Sequence, residues 1–147
     1  MKKEKLKKIV KSIFINHGLN NTHAEISSNC IIQAELVGAH SHGLSRIKMY
    51  CNRIKKKLIN PRPKIKIKKL SKSILHIDAD NAIGFVAADI GIKKAIASTK
   101  KTGIALVGIK NSGHYGLSSF FVEQAVKKNL AALCFTNAPP AIAPYGA

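Results

Sequence analysis

The sequence predicts an α/β (α+β) protein, with an N-terminal helical unit over residues 1–60 followed by a mixed α/β region over residues 61–147. Three observations predict it. Apolar residues recur at every third or fourth position through the first segment, which is the helical period. Pro61 and Pro63 make any continuation of that pattern costly. Beyond them, short strand-like runs alternate with an alanine-rich helical stretch, the order expected of helices packed on a sheet.

Leu6, Ile9, Val10, Ile13 and Phe14 share one helical face and predict a first helix that stops near His17-Gly18, where glycine takes the left-handed C′ conformation. A second helix is predicted from Thr22, because Thr22-x-x-Glu25 has the form of a capping box, and it runs through Ile26, Cys30, Ile31 and Ala34 to about Gly38. Ser41 is predicted to cap a third, with Ile47, Tyr50, Ile54 and Leu58 on its apolar side. Ile65 and Ile67 alternate with lysine as in a half-exposed strand. Ser73 to Asp78 reads as another, closed by a turn at Asp78-Ala79-Asp80-Asn81. Gly84 to Lys101 is a predicted helix that Gly103 terminates. Ile104 to Ile109 is a continuous apolar run of strand length, which predicts burial on both faces. The loop Asn111-Ser112-Gly113-His114-Tyr115-Gly116 then leads to a helix over 117–129, and Leu130 to Thr136 predicts one more buried strand. The proline-broken apolar run from Pro139 to Ala147 is of a kind that lines a site and needs a further element to cover it. The chain therefore reads as the N-terminal portion of a longer one.

At 147 residues and 46% hydrophobic content, the chain is long enough to bury a working core. Its net charge of +18 would ordinarily point to nucleic acid. Here the charge is lysine spread through every segment. With three arginines, no tryptophan and 5% aromatic residues, the forks and rings that read or stack on bases are scarce. Specific nucleic-acid binding is not expected, although weak, salt-sensitive adhesion to polyanions is. Cys30, Cys51 and Cys134 are odd in number and widely spaced, which argues against a disulfide framework and a cysteine zinc knuckle and fits a cytoplasmic protein. The basic start Met1-Lys2-Lys3-Glu4-Lys5 is not followed by the apolar core of a signal peptide. No run approaches the ~20 apolar residues of a membrane span.

The segment Ala39-His40-Ser41-His42-Gly43-Leu44-Ser45-Arg46 carries the chemistry. In a helix capped by Ser41, His42 and Arg46 stand four residues apart and project from one side. That sets a titratable imidazole beside a guanidinium suited to gripping a carboxylate with two parallel hydrogen bonds. His40 and His42 also form an H-x-H pair, but no carboxylate or thiol lies nearby at a helical spacing, so no metal site is expected. His17, His23 and His76 read as surface or turn residues, and the cysteines as small core hydrophobes.

The order of motifs resembles the malate/L-lactate dehydrogenase family, with only the N-terminal portion of such an enzyme present. The resemblance rests on Ser41-His42-Gly43-x-x-Arg46 followed by Tyr50, on Gly103-Ile104 entering a strand, on Asn111-Ser112-Gly113-His114-Tyr115-Gly116, and on Thr136-Asn137-x-x-Pro140-x-x-x-Pro144-Tyr145-Gly146. It implies NAD or NADP as cofactor, a small 2-hydroxy or 2-oxo acid as substrate, a homodimer, and a cofactor-binding domain unlike the Rossmann fold. In keeping with the last point, no G-x-G-x-x-G follows any predicted strand, and Gly113-x-x-Gly116 lacks the rest of that fingerprint. The resemblance further implies that His114 is the proton acceptor, with His42 the competing choice, and that Arg46 holds the substrate carboxylate. Thr136, Asn137 and Ala138 occupy the stretch implied to contact the cofactor; Ala138 stands where many relatives carry serine or threonine, which removes one hydrogen bond. Two other readings remain beside the dehydrogenase: an inactive relic of such an enzyme, and a lysine-rich nucleic-acid-binding module.

Overall fold

The structure is a computed structural model that describes residues 3–137. In chain order the elements are α1 (Lys3–Asn16), α2 (Asn21–Leu36), the 3₁₀ turns His40–His42 and Leu44–Arg46, α3 (Ile47–Lys55), β1 (Lys66–Lys69), β2 (Ile74–Ala82), α4 (Gly84–Thr102), β3 (Leu106–Ser112) and α5 (Ser119–Val126). The strands form one small sheet in the order β1-β2-β3, with β1 antiparallel to β2 and β2 parallel to β3. A parallel neighbour requires a crossover, and α4 is that crossover. The mixed α/β class is as the sequence predicts. No helix among the described residues is long and apolar enough to cross a membrane.

The core draws on both ends of the chain. Val10, Phe14, Ile31 and Tyr50 from the helical segment are buried together with Phe85 and Phe121 from the later one. Lys7 and Lys11 of α1 reach Glu25 of α2 at 2.5 and 2.8 Å, so the partner of Glu25 is the neighbouring helix rather than its own cap. The cap of α2 is Asn20, whose side-chain oxygen accepts from the His23 amide at 2.8 Å. Thr22 is thus displaced by an asparagine two residues earlier, a residue type that caps at least as well.

The third helix departs most from expectation. Ser41 caps nothing: its hydroxyl bonds Nδ1 of His42 at 3.0 Å, and α3 begins at Ile47, after two 3₁₀ turns separated by Gly43. Gly43, with φ −92° and ψ −137°, has left helical geometry, so the spacing from His42 to Arg46 is not a continuous helical i,i+4 step. The predicted turn at Asp78 to Asn81 is instead part of β2. Asp80 and Asn81 take left-handed φ values of 50° and 55°, the Asp80 amide donates to the Asp78 side chain, and the register with β3 shifts between Asp78 and Ala82. Residues suited to a turn here make a bulge.

Two predicted buried strands are not buried. In β3, Val107 and Ile109 lie against Gly91 of α4, but Leu106 is exposed, and β3 forms one edge of the sheet. A layer covers one face, where the apolar run had implied two. Leu130 to Thr136 forms no strand, and Leu133 and Phe135 are 84% and 88% exposed. An apolar run becomes a strand when an edge pairs with it, and none does among the described residues.

Candidate active site

α3 packs its inner face into the core through Tyr50 and Ile54. Tyr50 lies between two rings, with Phe14 at 6.5 Å and Phe85 at 4.9 Å between centroids. Phe85 follows Gly84, the first residue of α4. A Cβ on Gly84 would collide with the carbonyl oxygens of Gly113 and His114, so a glycine is what lets the loop after β3 rest on the start of this helix. That close approach delivers His114 to α3, where the Tyr50 hydroxyl and His114 Nδ1 share a hydrogen bond of 2.7 Å.

His42 arrives from the other side. Its ring stacks on that of His114 with centroids 5.6 Å apart and planes inclined by 25°. Each imidazole therefore has Nδ1 engaged, His42 with Ser41 and His114 with Tyr50. Arg46 folds back so that Nε donates to the Ser41 carbonyl at 2.6 Å, while Nη1 lies 3.8 Å from the Met49 sulfur. The guanidinium is thereby fixed to the backbone of the residue that holds His42.

The electrostatics favour the neutral forms of His114 and Tyr50. His114 is held below the ordinary imidazole value of 6.5, first by burial and then by the positive charges of His42, Arg46 and Arg53. Burial also raises the Tyr50 phenol above its ordinary 10.0, so it stays protonated and available as a donor. With the His114 proton on Nε2, the hydroxyl donates to Nδ1; with the proton on Nδ1, the hydroxyl oxygen accepts. Either arrangement keeps the contact, and the second leaves the Nε2 lone pair free to act as a base, with the imidazolium so formed as the matching acid.

The structure thus brings His42 and His114 together, with Arg46 within electrostatic range of His114. Thr136 and Asn137 are exposed, and the Thr136 hydroxyl donates to the Asn137 carbonyl; among the described residues, no hydrogen bond links either to the histidine pair. Ala138, like the run from Pro139 to Ala147, lies outside the described residues. A hollow of about 500 Å³ lies on the outer face of α3, lined by Ser45, Met49, Arg53 and Leu58 among others, and it meets the site where Met49 touches Arg46.

Three residues at the site are ones that sequence reasoning gave no chemistry. Tyr50 reads as a core residue, and its spacing of four from Arg46 is the signal that it shares a face with the site. Arg53, three residues further along α3, adds a second guanidinium charge at His114. Glu35 is the third. Its Oε1 is 2.6 Å from His40 Nδ1, and its Oε2 accepts the Leu44 amide at 3.0 Å, so His40 does have a carboxylate partner, five residues before it. Among the described residues, no group of three His, Cys, Asp or Glu side chains gathers as a metal site would require.

Comparison with known proteins is consistent along the whole chain. A family model described as malate/L-lactate dehydrogenase matches residues 1–147. Ureidoglycolate dehydrogenase (NAD(+)) of Escherichia coli O157:H7 is 33% identical over 144 residues, covering 98% of this chain and 41% of that protein. L-sulfolactate dehydrogenase of Methanocaldococcus jannaschii is 32% identical over 146 residues, covering 99% of this chain and 42% of its own. Among solved structures, malate dehydrogenase from Pyrococcus horikoshii superposes with a TM-score of 0.83 at 31% identity, over 86% of this chain and 36% of that one. The chain spans about two fifths of the length of the curated relatives it matches.

Proposed function

Because the chain belongs to the malate/L-lactate dehydrogenase family, we propose that it serves the NAD(P)-dependent interconversion of a small 2-hydroxy acid and the corresponding 2-oxo acid. The observation that carries this reading is the stacked pair of His42 and His114, 5.6 Å apart, with a guanidinium anchored beside it. Two imidazoles and an arginine are what a proton transfer next to a carboxylate asks for.

Oxidising the hydroxyl-bearing carbon takes a proton from oxygen and a hydride from carbon. A bound nicotinamide would supply the hydride acceptor, which leaves the chain to manage the proton and hold both reactants in line. His114 accepts the proton at Nε2 while its Nδ1–H donates to the Tyr50 oxygen. In the reverse direction the imidazolium, with Nδ1–H still donating to the Tyr50 oxygen, returns the Nε2 proton to the developing alkoxide and becomes the neutral ring again. Its lowered ionisation keeps the ring neutral at neutral pH, which is the state a base needs. His42 is the second candidate for the proton, and the two rings are near enough to act on one ligand. Arg46 has Nε committed to Ser41, which leaves the two terminal nitrogens as an end-on fork for the substrate carboxylate.

Thr136 and Asn137 fit a part in cofactor binding by their chemistry: an exposed hydroxyl and an exposed amide suit ribose hydroxyls or a carboxamide, and a net charge of +18 favours a pyrophosphate nearby. Ala138 contributes backbone groups only. The test is consumption of NADH or NADPH with a panel of 2-oxo acids, together with perturbation of the His42 and His114 ring resonances by oxamate, a stable 2-oxo acid mimic. Turnover or selective ring shifts support the reading; silence in both, with every acid, overturns it.

A further inference from the structure

Glu35 sits in the last turn of α2, where the exposed carbonyls of a helix end disfavour a carboxylate. α2 has no basic residue in that turn to offset it. A charge in so poor a position needs partners elsewhere, and its partners all lie in the segment from His40 to Arg46. Oε2 accepts the Leu44 amide at 3.0 Å, and Oε1 is 2.6 Å from His40 Nδ1. A Cβ on Gly43 would collide with Oε2, so the absence of a side chain at Gly43 is what gives the carboxylate its seat. The His40 backbone is held from the other side as well, where the Ser45 hydroxyl donates to its carbonyl at 2.6 Å.

We propose that Glu35 is a positioning residue that clasps the two 3₁₀ turns through Leu44 and His40 and so sets where His42 and Arg46 stand relative to His114. The turns bracket Gly43, at φ −92° and ψ −137°, and they lack the continuous backbone ladder that would hold an α-helix rigid here. The Ser45 and Arg46 bonds to the His40 and Ser41 carbonyls cross Gly43 within the segment, but they do not tie the two turns to α2. The carboxylate bridges that joint, bonding one residue of the first turn and one of the second. Arg46 then completes a loop back onto the Ser41 carbonyl, so the clasp is transmitted to the guanidinium and to the ring that Ser41 holds. The Leu44 amide, as the main cause of the lowered Glu35 ionisation, is consistent with a carboxylate that stays charged in this seat.

The inference rests on the dehydrogenase reading for its meaning, but it is tested separately from it. In the full chain, Glu35→Ala removes both contacts, Glu35→Gln keeps an oxygen for the Leu44 amide, and Gly43→Ala leaves the charge in place while taking its seat. Amide and imidazole resonances report the clasp without any activity. For Glu35→Ala and Gly43→Ala the expected result is an upfield shift of the Leu44 amide and displaced His42 ring signals, with folding intact by circular dichroism. Oxamate affinity falls about tenfold, the scale of one charge-assisted hydrogen bond, and in turnover KM rises more than kcat falls. Glu35→Gln restores the Leu44 amide and stays within about threefold of the parent. Unchanged His42 signals in both disrupting variants overturn the proposal, as does a Gln variant no better than Ala. If the parent chain neither binds oxamate nor turns over any 2-oxo acid, the functional reading fails while the resonances still decide whether the clasp exists.

Discussion

The Tyr50 hydroxyl lies 2.7 Å from Nδ1 of His114, a contact across 64 positions of the chain. It depends on two packing facts: Phe14 and Phe85 fix the phenol ring, and Gly84 admits the loop that carries the imidazole. Tyr50→Phe keeps the ring packing and deletes the hydrogen bond. The expected outcome is turnover reduced about tenfold, the equivalent of one orienting bond of ~1.4 kcal/mol, with little change in oxamate affinity. Steady-state kinetics beside a binding titration separates the two.

Arg46→Ala removes a positive charge near His114 and the fork proposed for the substrate. The ionisation of His114, followed by its ring proton resonances, is expected to move upward while staying below 6.5, because burial is the larger cause of its depression. KM for a 2-oxo acid is expected to rise by ~10- to 100-fold, as for a lost charge-assisted pair. A His114 titration unmoved by the substitution would show that the guanidinium does not face it.

The lowered histidines make folding sensitive to mild acid. His114 and His23 both ionise below the ordinary 6.5 in the folded state, His23 by burial and then the Arg62 charge. Below 6.5 the unfolded chain takes up protons that the native chain refuses. Their contribution is therefore complete above that value and is lost as pH falls from it towards the folded-state ionisations. Urea denaturation over this range is expected to show falling stability, with a smaller fall in His114→Gln.

Gly84→Ala places a methyl group against the Gly113 and His114 carbonyls. Since backbone oxygens cannot swing aside as a side chain would, the loop must move. The expected cost is about 2 kcal/mol in urea denaturation, with loss of the Tyr50 to His114 contact seen as a shifted His114 ring.

Much of this arrangement is legible in the residues themselves. The apolar face of α1 and the alanine-rich α4 with its Gly103 stop announce themselves, because period and terminator agree at each. The pairing of His42 with His114 comes from the order of motifs; local spacing does not show it. Sequence reasoning fails where a side chain has two possible partners. Ser41 has the form of a cap, yet its hydroxyl meets His42; Glu25 looks like half of a capping box, yet two lysines of α1 claim it. Such choices are made by neighbours distant in sequence. Glu35 is hidden for the same reason, since its best partner, the Leu44 amide, is a backbone group with no letter in the sequence. For β3 and Leu130 to Thr136, composition gives the apolar run but not what lies on its other side.

The uncovered apolar side chains at Leu106, Leu133 and Phe135 have a colloidal consequence when set beside a net charge of +18. In dilute buffer, long-range repulsion keeps molecules apart and the greasy patches never meet. Added electrolyte shortens that repulsion to a Debye length of roughly 8 Å at 0.15 M. Turbidity is then expected to grow with sodium chloride, and Leu133→Ser with Phe135→Ser should keep the solution clear to higher salt.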